Sequence, residues 1–178
     1  MRQLSSKVVY ENPWMTVRED VVERLDGSTG LYGVVEKQDF ALVLPRGEGG
    51  FWMVDQFRYP IQRRSVEFPM GSWPGEPGGD QEALARAELA EETGLRAAEM
   101  KRIGYFAAAS GFSNHGCDVY LATGLTEGEP ELEATELDLV RRFVTDAELD
   151  ELITSGGLDD AATLAALALY QRANTYPG

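Results

Sequence analysis

Glu88, Glu91 and Glu92 stand three and four residues apart in Asp80-Gln-Glu-Ala-Leu-Ala-Arg-Ala-Glu-Leu-Ala-Glu-Glu-Thr-Gly94-Leu95. At about 100° per residue they fall on one arc of a helix. Like charges at those spacings cost roughly a few tenths of a kcal/mol per pair, and no basic residue in the next turn offsets them. A divalent cation would reverse the sign, because hard cations take carboxylate oxygens. The stretch is therefore either an acidic solvated face or a metal site, and the second needs a frame that holds the carboxylates still.

The surrounding sequence supplies such a frame. Asp80 suits an N-cap, Gln81 and Glu82 the first turn, and Gly94 a left-handed stop with Leu95 packing back. Residues 7 to 24 alternate as extended chain, Asp26-Gly27 turns, and Tyr32 to Glu36 returns, which predicts a small sheet over roughly residues 7 to 36. Phe40-Ala-Leu-Val-Leu-Pro45 reads as a strand buried on both sides, Phe51 to Phe57 as the strand returning from the Gly47 to Gly50 turn, and Val66 to Phe68 as a strand before a Gly/Pro-rich loop. Further strands are expected at Met100 to Ala107, Asp118 to Thr123 and Leu137 to Val144. A helix follows from Asp146 to the Ser155-Gly156-Gly157 stop. A last helix, capped by Asp159 or Asp160, carries a stripe of Leu164, Leu167 and Ala168. Strands, one helix, more strands and two helices predict an α+β fold in α/β/α layers. Residues 1–36 form an N-terminal β subregion and residues 37–178 the main domain.

With 178 residues, 43% of them apolar, the chain is long enough for a substantial core. Thirty acidic residues against 16 basic give a net charge of −14. That field disfavours nucleic acid and acidic membrane surfaces as partners. No apolar run approaches the ~20 residues of a membrane span, and the first residues lack the apolar core of a secretory signal. Cys117 is the sole cysteine, which excludes an internal disulfide and a cysteine zinc cage; a buried, inert thiol is expected. These features fit a cytoplasmic location.

Glu88-Leu-Ala-Glu-Glu-Thr-Gly-Leu95 resembles the second half of the Nudix box, G-x5-E-x7-R-E-U-x-E-E-x-G-U, with U a bulky apolar residue. Glu67-Phe-Pro-Met-Gly71 and Gln56-Phe-Arg-Tyr-Pro60 are similar to segments of the ADP-ribose pyrophosphatase-like branch. So are Tyr10-Glu-Asn-Pro-Trp14 and Leu158-Asp-Asp-Ala-Ala-Thr-Leu-Ala-Ala166, so the resemblance spans most of the chain. Two box positions depart from the pattern: Ala87 replaces its arginine and Gly79 its first glutamate, and Gly71 is the box glycine only with two residues inserted. Losing both members of a charge pair together fits a structural brace, for which Arg86, Glu76 or Glu82 could substitute.

The resemblance implies a Nudix-type sandwich with a mixed central sheet, the small N-terminal antiparallel sheet serving in dimerisation. It implies a pyrophosphohydrolase that splits ADP-ribose or a related nucleoside diphosphate sugar into a nucleoside monophosphate and a sugar phosphate. The implied cofactor is Mg²⁺, or Mn²⁺, held by Glu88, Glu91, Glu92 and the backbone carbonyl of Met70. Glu136 is the first choice of general base and Asp138 the second. Arg58 is expected on the diphosphate, Lys37 as a second cation near it, and Trp14 and Tyr32 as the aromatics that clamp a base, one from each subunit of a homodimer. His115, the only histidine, lies where many relatives carry an acid, and an altered substrate is one reading of that. Two alternatives stay open: another nucleotide substrate, such as a dinucleotide cofactor or a nucleoside triphosphate, and a non-catalytic nucleotide-binding module.

Overall fold

The computed structural model describes residues 1–73, 79–132 and 137–175. The strands β1 (Arg2–Asn12), β2 (Met15–Glu23) and β3 (Thr29–Glu36) form a three-stranded antiparallel sheet. The expected single extended run over 7 to 24 is thus two strands. The break lies at Asn12, whose side-chain oxygen accepts the N–H groups of Trp14 at 2.9 Å and Met15 at 2.8 Å. An asparagine that binds the backbone a few residues on closes a turn without glycine.

The second sheet contains β4 (Phe40–Gly47), β5 (Gly50–Arg58), β6 (Arg63–Glu67), β7 (Met70–Gly71), β8 (Leu95–Ala107), β9 (Gly116–Glu127) and β10 (Val140–Thr145). Its order is β10-β5-β4-β9-β8, with β6 beside β5 and β7 beside β4. The β4–β9 pair is parallel and the other pairs are antiparallel, so the sheet is mixed. Three helices cover it: α1 (Gln81–Thr93), α2 (Asp146–Ser155) and α3 (Ala161–Thr175).

The period of two in β4 separates the layers. Ala41 and Val43 join Leu84, Ala85 and Leu89 of α1 in one core, while Leu42 and Leu44 join Leu149, Ala166 and Leu167 of α2 and α3 in the other. Burial on both faces is why this strand reads as an unbroken apolar run. In α3 the buried residues are Thr163, Ala166 and Leu167; Leu164 and Ala168 are exposed. The expected stripe is displaced toward the N-terminus because Thr163 donates no apolar signal yet is fully buried, its hydroxyl oxygen accepting the Phe68 N–H at 3.1 Å. Asp160, not Asp159, caps this helix, accepting the Thr163 N–H at 2.8 Å.

The segment Ala108–His115 ties the two sheets together. Val35 donates to the Phe112 carbonyl at 2.8 Å, and the Ser113 hydroxyl to the Val35 carbonyl at 2.7 Å. Among the described residues no helix is long and apolar enough to cross a membrane.

Candidate active site

The ends of α1 are fixed by short-range signals. The Asp80 carboxylate accepts the N–H groups of Glu82 and Ala83, and Gly94 closes the helix at φ 71°, its N–H on the Ala90 carbonyl at 2.8 Å. A side chain at Gly94 would be strained by that φ and would strike the Gly128 carbonyl. Arg141 of β10 adds a clamp. It donates to the Thr93 carbonyl at 2.8 Å and lies 4.7 Å from the centre of the Trp52 ring. A cation there meets the negative end of the helix dipole, whose last turn has no basic residue of its own.

Two of the three glutamates converge on β7. The Glu92 carboxylate, only 2% exposed, accepts the Met70 N–H at 3.2 Å. Glu88 lies so close over Gly71 that a β-carbon there would fall on its carboxylate. The solvated-face reading therefore fails at Glu92. Glu91 is half-buried on the same arc, and its backbone carbonyl accepts the Glu131 N–H at 2.9 Å. Among the described residues no three acidic, histidine or cysteine side chains already stand in a metal-like cluster. The donor set is nevertheless of the right kind for a hard cation: two convergent carboxylates and a nearby carbonyl. That carbonyl is Met70's. Val43 N–H takes the Pro69 carbonyl at 3.0 Å, so in the ladder Met70 turns both of its backbone groups away from β4, to the edge where Glu92 lies.

Arg58 stands beside them. Its Nε donates to Glu67 Oε1 at 3.0 Å and its Nη2 to Oε2 at 2.5 Å, a fork on a carboxylate that is 3% exposed. A buried carboxylate requires such a partner. The guanidinium is held above its ordinary pKa, first by its bonds to Glu67; the charges of Glu67, Glu92 and Asp160 add to this and burial opposes it. Arg58, Glu67 and Met70 also border a cavity of about 410 Å³ that reaches Arg63, Asp159 and Asp160.

The loop after β9 is anchored at both ends. Glu131 holds Glu91, and Asp138 Oδ2 accepts the Phe57 N–H at 2.9 Å and an Arg64 bond at 3.1 Å. Asp138 is thus engaged on β5. Glu136 lies outside the described residues, as does Glu76.

The remaining candidates sit on or near the N-terminal sheet. Trp14 is 74% exposed at the β1–β2 turn. The Tyr32 hydroxyl donates to the Gly111 carbonyl at 2.6 Å. Lys37 is exposed, bonds through its N–H to Asn114 Oδ1 at 3.3 Å, and lies close enough to His115 to lower its pKa. His115 Nδ1 is 2.7 Å from the Ser113 hydroxyl, which already donates to Val35, so Nδ1 carries the proton. His115 is thereby part of the tie between the sheets. Cys117 is buried, and burial pushes its thiol pKa far up, leaving it unreactive.

Residues 1–35 match the nucleoside diphosphate sugar hydrolase N-terminal domain family. An ADP-ribose pyrophosphatase of Mycobacterium tuberculosis (strain ATCC 25618 / H37Rv) is 32% identical over 168 residues, 92% of this chain and 80% of that protein. An ADP-ribose pyrophosphatase of Bacillus subtilis (strain 168) is 30% identical over 172 residues, 96% and 92% of the two chains. This chain belongs to the ADP-ribose pyrophosphatase branch of the Nudix hydrolases. A methanol dehydrogenase activator of Bacillus methanolicus is 29% identical over 129 residues, 72% of this chain and 69% of that one. The crystal structure of an ADP compounds hydrolase superposes with a TM-score of 0.82 over 97% of this chain and 94% of its own, at 17% identity, which shows the shared fold.

One departure from the Nudix box meets a local packing constraint. Gly79, in place of the first glutamate, faces the Trp73 indole, and a β-carbon there would strike the ring. Of the expected substitutes for the charge pair, Arg86 and Glu82 do meet: Arg86 Nε donates to Glu82 Oε1 at 3.0 Å, and its Nη1 to the Ala97 carbonyl of β8 at 3.1 Å. Two features escaped the reading of the Nudix sequence. Glu67 was visible only as a motif letter, and nothing in one strand's periodicity shows that it anchors Arg58 across the β5–β6 hairpin. Arg63 and Asp159, an ion pair on the cavity wall, are far apart in the chain and carried no local signal.

Proposed function

We propose that this Nudix hydrolase depends on a divalent metal, Mg²⁺ first and Mn²⁺ second, and cleaves the diphosphate of ADP-ribose or a related nucleoside diphosphate sugar into a nucleoside monophosphate and a sugar phosphate. The observation that carries the reading is the convergence of Glu88 and Glu92 on β7 beside Arg58. Glu88, Glu92 and the Met70 carbonyl would hold the metal, with Glu91 completing the set. Once bound, the metal would neutralise charge on the diphosphate oxygens and acidify the attacking water.

The chain's own groups do the rest. Arg58, half-exposed and braced by Glu67, offers its open edge to a diphosphate oxygen. Burial of Glu92 keeps water off one side of the carboxylate and strengthens its field. Glu136 takes the proton of the attacking water in this reading.

The base would stack on Trp14 and Tyr32 from different subunits. Tyr32 pairs with Asp20 and Met15 with Asn12, so the stretch separating the two rings within one chain covers about 16 Å at ~3.3 Å per residue. That separation favours rings drawn from different subunits. Val8, Val9, Tyr10 and Leu31 leave the N-terminal sheet apolar and exposed, which favours a homodimer through it. The non-catalytic alternative was motivated by Ala87 and Gly79, and the similarity to ADP-ribose pyrophosphatases weighs against it.

The test is turnover. ADP-ribose with Mg²⁺ should yield AMP and ribose 5-phosphate, chelation should stop the reaction, and Mn²⁺ should restore it. Failure to hydrolyse any nucleoside diphosphate sugar in either metal refutes the proposal.

A further inference from the structure

We propose that the cavity between Arg58 and the start of α3 binds the sugar of the sugar-phosphate half, with Arg63 and Asp159 reading its hydroxyls. This rests on the reading that the diphosphate lies at Glu88, Glu92 and Arg58. The cavity begins at that point: Arg58 and Met70 form one wall, and Met70 is the residue bonded to Glu92. Its volume, about 410 Å³, falls in the ~300–1,000 Å³ range of small-ligand sites.

The walls differ in chemistry in the way that a sugar ring does. Pro60 and Ile61 supply an apolar side. The C–H face of a furanose or pyranose is apolar too. The same lining holds the ion pair of Arg63 Nη2 with Asp159 Oδ2. A guanidinium only donates and a carboxylate only accepts, so the pair together satisfies neighbouring hydroxyls, which do both. Both side chains are about half-exposed, 48% and 47%, so opening their mutual bond to admit a ligand costs little. Asp160 has no such freedom, because its carboxylate caps α3.

The same wall selects against a further phosphate. Such a group would face three acids, Glu67, Asp159 and Asp160, against two guanidinium groups, Arg58 and Arg63, so the lining is net negative. Like charges in a partly enclosed site repel strongly. The cavity therefore favours a neutral, hydroxyl-rich group over the extra phosphate of a nucleoside triphosphate.

Binding calorimetry with ribose 5-phosphate and, separately, AMP, each in the presence of Mg²⁺, tests this without relying on turnover. Asp159→Asn keeps the side-chain volume, Arg63→Gln keeps a polar, unbranched stem without the charge, and both leave the α3 cap alone. Each should weaken ribose 5-phosphate binding by about tenfold and leave AMP binding unchanged. The inference is overturned if the unaltered protein binds no ribose 5-phosphate, if neither variant weakens it, or if both products weaken together. Turnover of ADP-ribose tests the underlying reading on its own. An unaltered protein that binds ribose 5-phosphate through Asp159 but hydrolyses no diphosphate sugar would keep the sugar site and lose the enzyme.

Discussion

The glutamate end and the aromatic end of this molecule are built on opposite terms. Glu92 is sunk to 2% exposure, bonded to Met70, and carried on a helix capped at both ends and clamped by Arg141. Trp14 is 74% exposed on a turn of a sheet whose first strand is exposed almost throughout. In the proposed reading the contrast separates what one chain would complete alone from what it would leave to a partner. Charges that are to meet a cation need a fixed, dry setting, and the α1–β7 contact is of that kind. A flat ring that is to stack on a base needs only exposure.

Substitutions at the glutamate end should therefore cost far more rate than stability. Glu92→Gln keeps the shape and an oxygen for the Met70 N–H but removes the charge. Turnover of ADP-ribose should fall on the order of a thousandfold, with the thermal midpoint nearly unchanged. Full activity in Glu92→Gln would mean that the metal is held elsewhere. Gly71→Ala is a subtler cut. Its new methyl would land on the tip of the Glu88 side chain, which can swing aside at little cost to folding. The displaced carboxylate should lower kcat by about ten- to a hundredfold, because a shift near 1 Å is enough. Rate assays beside thermal melts read both quantities, and a large loss of stability without loss of rate would contradict the placement of Glu88.

The same contrast explains which parts could be read in advance. Helix α1 was legible because its signals are local: Asp80 and Gly94 at its ends, leucines and alanines at helical spacing, acids on one arc. Strand β4 was legible because both of its faces are buried. The turn at Asn12 was not, since it depends on one side chain replacing a turn backbone rather than on glycine. The buried face of α3 was misplaced by its uniform leucine and alanine content, and only the tertiary bond from Phe68 to Thr163 decides it. The Arg58–Glu67 fork and the Arg63–Asp159 pair depend on register and topology, which no window of sequence contains.

At the aromatic end the expected balance reverses. Trp14→Ala removes a ring that packs against little in its own chain, so folding should hardly change. Loss of stacking on a base costs about 1–3 kcal/mol, which predicts a roughly tenfold or larger rise in KM with kcat nearly constant. If Trp14 and Tyr32 serve the same base from different subunits, mixing the weakly binding Trp14→Ala and Tyr32→Ala dimers should restore some sites to full affinity. A strictly monomeric protein by ultracentrifugation would remove that expectation.

The junction between the two ends gives the smallest effect and tests whether they are coupled. His115 belongs to the strap that joins them, bonded to Ser113 and packed 5.9 Å from Phe40. Burial lowers its pKa first, and the Lys37 charge adds to that. A histidine whose folded pKa lies below its unfolded value binds fewer protons when folded, so the stability tied to its neutral form is present above about pH 6.5 and is lost as pH falls through the interval beneath it. Because it is the only histidine, its ring resonance can be followed without assignment ambiguity. The NMR midpoint should fall below the ordinary histidine range, and Lys37→Gln should raise it by removing a positive neighbour. The thermal midpoint should decline modestly over the same acid interval, and a His115→Gln variant should lose that part of the decline. A normal or raised midpoint would show that the strap leaves His115 in water and that the bonds of Val35, Tyr32 and Lys37 to the strap hold the two sheets without help from the ring.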